Sequence, residues 1–273
     1  MYGNLNRGRG LGGGRDASHL LWLLPLIREI ERMPVKPIIT IGTLGLLCWI
    51  HMNHFSAYDW GVSRVCISAA GFRATKGLFA AARLGAASAL SHGSDTHLVV
   101  NLLSFLHKAA QLEAAWGPFC FTLTLLGLTV GTQLIYSPLA VALGKDSECA
   151  VGFSGVIFAL KILCQSQLPG NEWARVAGYT VPAAAAAWIE LIVIQLASPH
   201  TSFVAHLSGI LVGLLGTQVI FSARRFLSYQ RRHPPPHLQP QPQNHKNPWR
   251  CKVCKLRNAH ATKTCTACST PNT

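Results

Sequence analysis

Long apolar runs alternate with short polar breaks through most of this sequence. Between residues 37 and 221, several runs of about 17 to 22 residues carry little or no charge, enough to cross a bilayer of about 30 Å as helices. The predicted spans, numbered 1 to 6, are residues 37–52, 91–110, 119–136, 149–165, 176–197 and 203–221. The pattern therefore predicts an all-α polytopic membrane protein with polar ends.

The remaining segments differ from these runs in composition. Residues 1–19 are rich in glycine and arginine and are predicted to be disordered. Residues 20–33 predict an amphipathic helix on the membrane surface that ends at Pro34. Residues 53–90 contain five charged side chains, which predicts a folded or interfacial loop, and residues 168–171 predict a turn.

Charge placement predicts the topology. Only 12% of the residues are charged, against about 25% in soluble domains, yet the formal net charge is +14. Basic residues flank both ends of the apolar region, namely Arg7, Arg9, Arg15, Arg28, Arg32, Lys36, Arg224, Arg225, Arg231 and Arg232. Positive flanks favour the cytosolic side, so both termini are predicted to be cytosolic, which agrees with an even number of spans. Contact of these residues with anionic lipid is equally compatible with that topology.

Four polar residues are predicted to lie at the same membrane depth. Spans 2, 4 and 6 all run from the non-cytosolic side towards the cytosol. His97 and Asn101 lie in the first half of span 2, Ser154 lies early in span 4, and His206 lies early in span 6. Ionisable and polar groups inside a bilayer are costly and usually mark function.

These residue types suit acyl transfer. A serine between glycines is often packing contact between helices, but a nearby base converts it into a nucleophile. His206 is the predicted base, because imidazole titrates near neutral pH. Span 6 offers no acidic partner at matching depth, so a Ser154–His206 dyad is predicted rather than a triad. His97 and Asn101 share one helix face and are predicted, with the Ser154 N–H, to form an oxyanion hole. Gly209, Gly213 and Gly216 predict close packing of span 6 against Gly152 and Gly155.

Three motifs resemble those of rhomboid intramembrane serine proteases. They are His92-x4-His97-x3-Asn101, Gly152-Phe153-Ser154-Gly155 and Ala205-His206-Leu207-Ser208-Gly209. The resemblance covers residues 34–222 and implies a six-helix rhomboid-like bundle over residues 37–222. It also implies an endopeptidase that cleaves transmembrane substrates with the same four residues in the same roles. The alternative hypothesis is a non-catalytic membrane adaptor that delivers ubiquitin-marked client proteins through its zinc finger.

Further segments resemble one branch of that family, namely residues 149–161, 188–191 and 198–203. This implies a protease of the endoplasmic reticulum that acts in ubiquitin-linked quality control of membrane proteins. Glu113 resembles a structural acid of the family, and Glu190 is predicted to be a buried carboxylate paired within the bundle. The resemblance also suggests that the paired arginines after span 6 bind a cytosolic ATPase, although flanking charge is the favoured explanation.

The tail after span 6 predicts a linker and a small metal-binding domain. Residues 223–246 are basic and then rich in proline and glutamine, which predicts an extended linker. Residues 247–273 contain two Cys-x2-Cys pairs, formed by Cys251, Cys254, Cys265 and Cys268. In a reducing cytosol this spacing favours one structural Cys₄ zinc site over disulfides.

Trp249 and Asn258 make the tail resemble a RanBP2-type zinc finger. Members of that family bind ubiquitin or single-stranded RNA. Lys255-Leu256 stands where the ubiquitin-binding type has Thr-Phe, which departs from that pattern. RNA binding ranks lower, because the finger has no second aromatic residue for base stacking. Contact with another protein is the third alternative.

Overall fold

The computed structural model describes residues 23–52, 65–167, 172–232, 248–258 and 262–272. The chain divides into two compact units, one ending at Ile220 and the other beginning at Phe221. The predicted disordered segment 1–19, the turn at 168–171 and most of the linker, residues 233–246, lie outside the described residues.

The described residues up to Arg232 form nine helices and one hairpin. The helices are α1 (Leu24–Arg32), α2 (Ile38–Met52), α3 (Ala69–Ala74), α4 (Leu78–Leu90), α5 (Asp95–Trp116), α6 (Pro118–Ala142), α7 (Ser154–Ser166), α8 (Ala183–Ala197) and α9 (Phe203–Arg232). The hairpin pairs β1 (Trp173–Val176) with β2 (Tyr179–Pro182) in antiparallel register. The chain is thus mainly helical, as the apolar pattern predicted.

Each predicted span overlaps one helix, but several bounds differ. The helices of spans 2, 3 and 6 end at Trp116, Ala142 and Arg232 rather than at residues 110, 136 and 221. Span 4 begins at Ser154 rather than at residue 149, and span 5 begins at Ala183 rather than at residue 176. The residues that precede these helices form a loop and the β1–β2 hairpin. Among the described helices, α6 and the Phe203–Ala223 part of α9 are long and apolar enough to cross a membrane; α2, α7 and α8 are apolar but shorter.

The predicted loop before span 2 is largely helical where it is described. It contains the short helix α3 and the 13-residue apolar helix α4, which packs against α6. Ser68 caps α3 by accepting a hydrogen bond from the Gly71 N–H. The hydropathy pattern did not predict these helices, because the charged residues at 73, 76 and 83 interrupt the apolar run without preventing helix formation.

Helix α7 occupies the centre of the first unit. Ten consecutive residues, Gly155–Cys164, are buried, and α7 contacts α5, α6 and α8. Burial on every face of a helix requires that all of its residues be apolar or paired, which accounts for the continuous apolar run at this position.

Glu113 joins α5 to the start of α2. Its carboxylate accepts hydrogen bonds from the Ile39 N–H at 3.0 Å, the Thr40 N–H at 2.9 Å and the Thr40 hydroxyl at 2.8 Å. The first N–H groups of a helix have no partner within the helix, so the buried Glu113 carboxylate satisfies two of them. Its negative charge also interacts favourably with the positive end of the α2 dipole. These contacts agree with the structural part predicted for Glu113.

Glycines bring α9 against α7. A Cβ atom at Gly209 would lie 2.0 Å from the Gly155 carbonyl oxygen, and one at Gly213 would lie 2.8 Å from the Ala159 oxygen. The predicted contact of span 6 with Gly155 is therefore confirmed. The predicted contact with Gly152 was wrong, because Gly152 faces His97, where a Cβ would lie 2.7 Å from Cε1.

We expect Gly209→Ala to destabilise the bundle by about 3 kcal/mol or more, since the methyl group meets backbone that cannot rotate away. SDS-induced unfolding followed by circular dichroism measures the change. Gly216→Ala on the same helix is the control, because its Cβ would meet only Leu163 and Leu128 at ordinary distances. Equal stability of the two variants would contradict the close contact.

Candidate active site and metal site

Ser154 is the first residue of α7, and the loop before it is held firmly. The Gly152 N–H donates to the Ser88 carbonyl at 2.8 Å, and the Ser88 hydroxyl donates to the Ala150 carbonyl at 2.8 Å. Ala150 also forms a bridge with Ile67 through two hydrogen bonds of 2.9 Å. This loop therefore fixes the position of Ser154 from the side of α4.

A disulfide links Cys66 with Cys149 beside this bridge. The sequence pattern did not predict this bond. Both cysteines lie in segments assigned to the non-cytosolic side, so the predicted topology already permitted the bond. The disulfide attaches the loop before Ser154 covalently to the segment that precedes α3.

Ser154 and His206 lie in direct contact. His206 Nε2 is 2.9 Å from Ser154 Oγ, and only 4% of His206 is exposed. Within the described residues, His206 Nδ1 has no hydrogen-bond partner. If Nδ1 carries the proton, Nε2 is free to accept the serine proton. The predicted proximity of the two residues is thus observed.

The imidazole of His206 also contacts Phe158, one helical turn after Ser154. Their ring centroids lie 4.9 Å apart with an interplanar angle of 34°. Among the described residues, no carboxylate bonds to the ring, and its observed contacts are the Ser154 hydroxyl and the Phe158 ring.

His97 and Asn101 lie beside the start of α7. Gly152, two residues before Ser154, has φ +120°, which only glycine adopts readily, and it leaves room for the His97 ring. The Asn101 side chain is buried, and its Nδ2 has no partner within the described residues. An amide donor buried without a partner is costly, so a ligand oxygen would satisfy it.

A small cleft of about 20 Å³, enough for about one water molecule, lies beside the start of α7. Its lining includes Gly152 and Gly155 on either side of the nucleophile, together with Thr132 and Gln133 of α6. Gln133 Oε1 is buried without a partner within the described part of the chain. The cleft gives the Ser154 region both space and polar groups.

The second unit contains the four predicted metal ligands. The Sγ atoms of Cys251, Cys254, Cys265 and Cys268 all lie within 4.8 Å of one another. The separations of 3.3 to 3.6 Å between neighbouring sulfurs approach the edge of a tetrahedron with metal–sulfur bonds of about 2.3 Å. The cluster therefore fits a tetrahedral metal ion.

Two matching turns present these ligands. The Lys255 N–H donates to the Cys251 carbonyl, and the Ser269 N–H donates to the Cys265 carbonyl. Lys255 and Ser269 both have positive φ, at 60° and 56°. Each Cys-x2-Cys pair thus ends in the same tight turn.

Asn258 and Trp249 support the metal site from two short paired strands, β4 (Arg257–Asn258) and β3 (Trp249–Arg250). Asn258 Oδ1 accepts hydrogen bonds from the Thr266 N–H and hydroxyl, and Nδ2 donates to Cys265 Sγ at 3.4 Å. The Trp249 N–H donates to the Thr262 carbonyl. Burial alone would raise the pKa of the Cys265 thiol, but N–H groups of the second turn, together with the Asn258 and Cys254 side chains, lower this pKa to about 6, which favours the thiolate that binds metal.

A comparison with known proteins identifies the family of the helical region. The profile of the Rhomboid domain family matches residues 81–223, more than half of the chain. The chain therefore belongs to the rhomboid family and is a membrane protein with the family's protease-like fold.

The chain is also similar to individual members of the family. Rhomboid-related protein 4 of Homo sapiens is 36% identical over 219 residues, which cover 78% of this chain and 65% of that protein. The Arabidopsis thaliana protein "Rhomboid-like protein 14, mitochondrial" is 34% identical over 231 residues, covering 78% of this chain and 64% of that protein. The chain thus spans slightly less than two thirds of the length of these relatives.

Proposed function

We propose that this protein is an intramembrane serine endopeptidase that uses a Ser154–His206 dyad. The observation that carries the proposal is the 2.9 Å contact between a buried histidine and a serine at the start of a central helix. Family membership supports it, and the intact dyad favours catalysis over the adaptor role. The substrates are transmembrane proteins within the lipid bilayer.

The length of α7 supports cleavage within the membrane. Its 13 residues extend about 20 Å, whereas a bilayer core measures about 30 Å. Ser154 at its first residue therefore lies below the membrane surface when the other end of α7 is at the opposite surface. The cleft beside Ser154 supplies room for the water that hydrolysis requires.

The residues account for each proton of the reaction. His206 Nε2 takes the hydroxyl proton as Ser154 Oγ attacks the scissile carbonyl, and the imidazolium then gives this proton to the leaving amine. The acyl-enzyme is hydrolysed by water that His206 deprotonates in turn. Asn101 Nδ2, His97 and the Ser154 N–H stabilise the oxyanion, aided by the positive end of the α7 dipole.

The disulfide supports an oxidising compartment on the side where α7 begins. Disulfides persist in the lumen of the endoplasmic reticulum and are rare in the cytosol. We therefore place Cys66 and Cys149 in the lumen and both termini in the cytosol, in agreement with the basic flanks. There the protease acts in membrane-protein quality control, and the finger binds zinc and recruits clients, with ubiquitin as its first candidate ligand.

Covalent labelling tests the proposed nucleophile. The full chain is reconstituted in liposomes, treated with a fluorophosphonate and digested for mass spectrometry, in parallel with cleavage of a single-span substrate. We expect the label on Ser154 alone and cleavage that labelling blocks. A chain that is neither labelled nor active on substrates with helix-breaking residues would favour the adaptor, and ubiquitin binding by the finger would then be measured.

The oxyanion assignment has its own test. We expect Asn101→Ala to lower kcat by about 10² to 10³ with little change in KM, because an oxyanion donor acts mainly in the transition state. Asn101→Asp is the matched variant of equal size, and it should be at least as impaired because it cannot donate when ionised. A change confined to KM would contradict the assignment.

A further inference from the structure

The geometry points to Lys161 and Glu190 as a positioning pair that sets the orientation of His206 through the ring of Phe158. This inference rests on the proposed function, in which His206 is the base. The contacts run from Glu190 on α8 to Lys161 on α7, from Lys161 to the Phe158 ring, and from that ring to the imidazole of α9.

His206 needs an orienting contact that a carboxylate supplies in other serine hydrolases. In a Ser-His-Asp triad, an acid bonded to Nδ1 fixes the tautomer and the plane of the imidazole. Here Nδ1 has no partner within the described residues, while the Phe158 ring lies 4.9 Å from the imidazole. The position of Phe158 therefore limits how the base can turn.

Phe158 is held where three helices meet. It is 3% exposed and packs in one apolar cluster with Ile162, Ala187 and Leu191, which belong to α7 and α8, and with Ile210 of α9. Lys161 is three residues further along α7, and its Nζ lies 4.9 Å from the Phe158 ring centroid. Residues three apart share one helix face, so the ammonium group can lie over the ring.

Glu190 supplies the counter-charge that keeps Lys161 ionised in this position. The Lys161 ammonium group forms an ion pair with the Glu190 carboxylate, and the Lys161 side chain is only 9% exposed. An unpaired charge at such a site is strongly disfavoured, whereas a desolvated cation over an aromatic ring is attracted more strongly than an exposed one. The pair thus fixes Phe158 and links the position of α8 to the base.

Stability alone gives a weaker account of the pair. Replacing a buried ion pair by apolar residues of similar size is often neutral or stabilising, so a purely structural bundle would lose little with methionines here. A second lysine–glutamate ion pair joins Lys145 Nζ to Glu148 Oε2 at 2.9 Å, and the Lys145 side chain is 48% exposed. Within the described residues, Lys145 has no observed contact with Phe158 and serves as a matched control.

The test compares four variants of the full chain in liposomes: Lys161→Met, Glu190→Gln, Lys161→Arg and the double variant Lys161→Met/Glu190→Met. We expect kcat and the rate of fluorophosphonate labelling to fall about tenfold in Lys161→Met and in the double variant, with KM nearly unchanged. Lys161→Arg should restore most of both rates, because arginine keeps the cation and the ion pair.

Lys161→Met and Glu190→Gln each leave one partner of the ion pair without its counter-charge, whereas the double variant removes both charges. The double variant therefore decides whether the pair positions His206 or only stabilises the bundle. Full activity of the double variant would show that the pair acts only on stability and would overturn the inference. In a Phe158→Leu background, Lys161→Met should cause no further loss of kcat. A loss of kcat equal to that in the wild-type background would also overturn the inference. Lys145→Met should retain the wild-type kcat.

The labelling rate separates this inference from two other outcomes. If the pair only holds α8 for substrate entry, KM changes while the small probe labels Ser154 at the wild-type rate, and the inference is overturned. A wild-type chain that neither cleaves nor is labelled would instead overturn the proposed function, and this inference with it.

Discussion

Replacing Ser154 or His206 by alanine is expected to lower the cleavage rate by about 10⁴ to 10⁶, the range seen when a serine hydrolase loses its nucleophile or its base. The physical reason is the 2.9 Å contact, through which His206 receives the serine proton as the carbonyl is attacked. Initial rates on a single-span substrate in liposomes measure the effect for each variant.

Two residues of the same types serve as controls. Ser166 ends α7 and donates a hydrogen bond to the Leu163 carbonyl, and His107 on α5 contacts the Leu103 carbonyl. Ser166→Ala and His107→Ala should retain the wild-type rate, since neither residue lies near Ser154. Cleavage that survives in Ser154→Ala would place the activity elsewhere.

The double variant Ser154→Ala/His206→Ala separates a dyad from two independent contributions. Residues that act as one unit show non-additive losses, so the double variant should be no slower than the worse single variant. Additive losses would mean that His206 assists by a route that does not pass through the serine hydroxyl.

The placement of these residues was predictable because membrane topology restricts depth. Alternating spans put the first halves of spans 2, 4 and 6 on the same side, and the structure brings Ser154 and His206 together as expected. The pairing of Glu190 was also predicted and is confirmed by its contact with Lys161, although the Glu190 side chain is 28% exposed rather than buried. The partner itself was not identified, since a lone lysine in an apolar run does not show which helix it faces.

Hydropathy could not locate the starts of α7 and α8. The residues before α7 are apolar, yet Gly152 at φ +120° and the bridge between Ile67 and Ala150 require a loop there. Before α8 the chain turns through Ala177 and Gly178, both at positive φ, to form the β1–β2 hairpin. Apolar residues suit a helix, a strand or a buried loop alike, so these bounds depend on backbone conformation and tertiary contacts.

The disulfide was missed for a related reason. Cys66 and Cys149 are 83 residues apart, and only the packing of the segment before α3 against the loop before α7 brings them together. The four cysteines of the finger were predictable, by contrast, because their ligand spacing is local in sequence.

Removing the metal is expected to unfold the finger while leaving the first unit intact. The described residues of the finger form two strands of two residues each, and the buried side chains among them are Cys251, Cys265 and Asn258. So little apolar burial cannot offset the entropy of ordering the chain, whereas zinc contributes about 10 to 16 kcal/mol to folding in fingers of this kind. Hydrogen exchange of the full chain measures the effect: on adding a strong chelator, the Lys255 and Ser269 amides should lose protection, whereas those of α7 should keep it.

Metal analysis and cleavage assays complete this prediction. We expect one zinc per chain, its loss in Cys251→Ser, and its retention in the control Cys120→Ser, since Cys120 lies on α6 and outside the cluster. Cleavage of a substrate that carries no ubiquitin should continue in the presence of chelator, because the dyad needs no metal for proton transfer. Protection of the finger amides that persists after zinc is removed would mean that contacts other than the four thiolates fold this unit. Loss of cleavage on chelation, with α7 still protected, would instead connect the finger directly to the chemistry at Ser154.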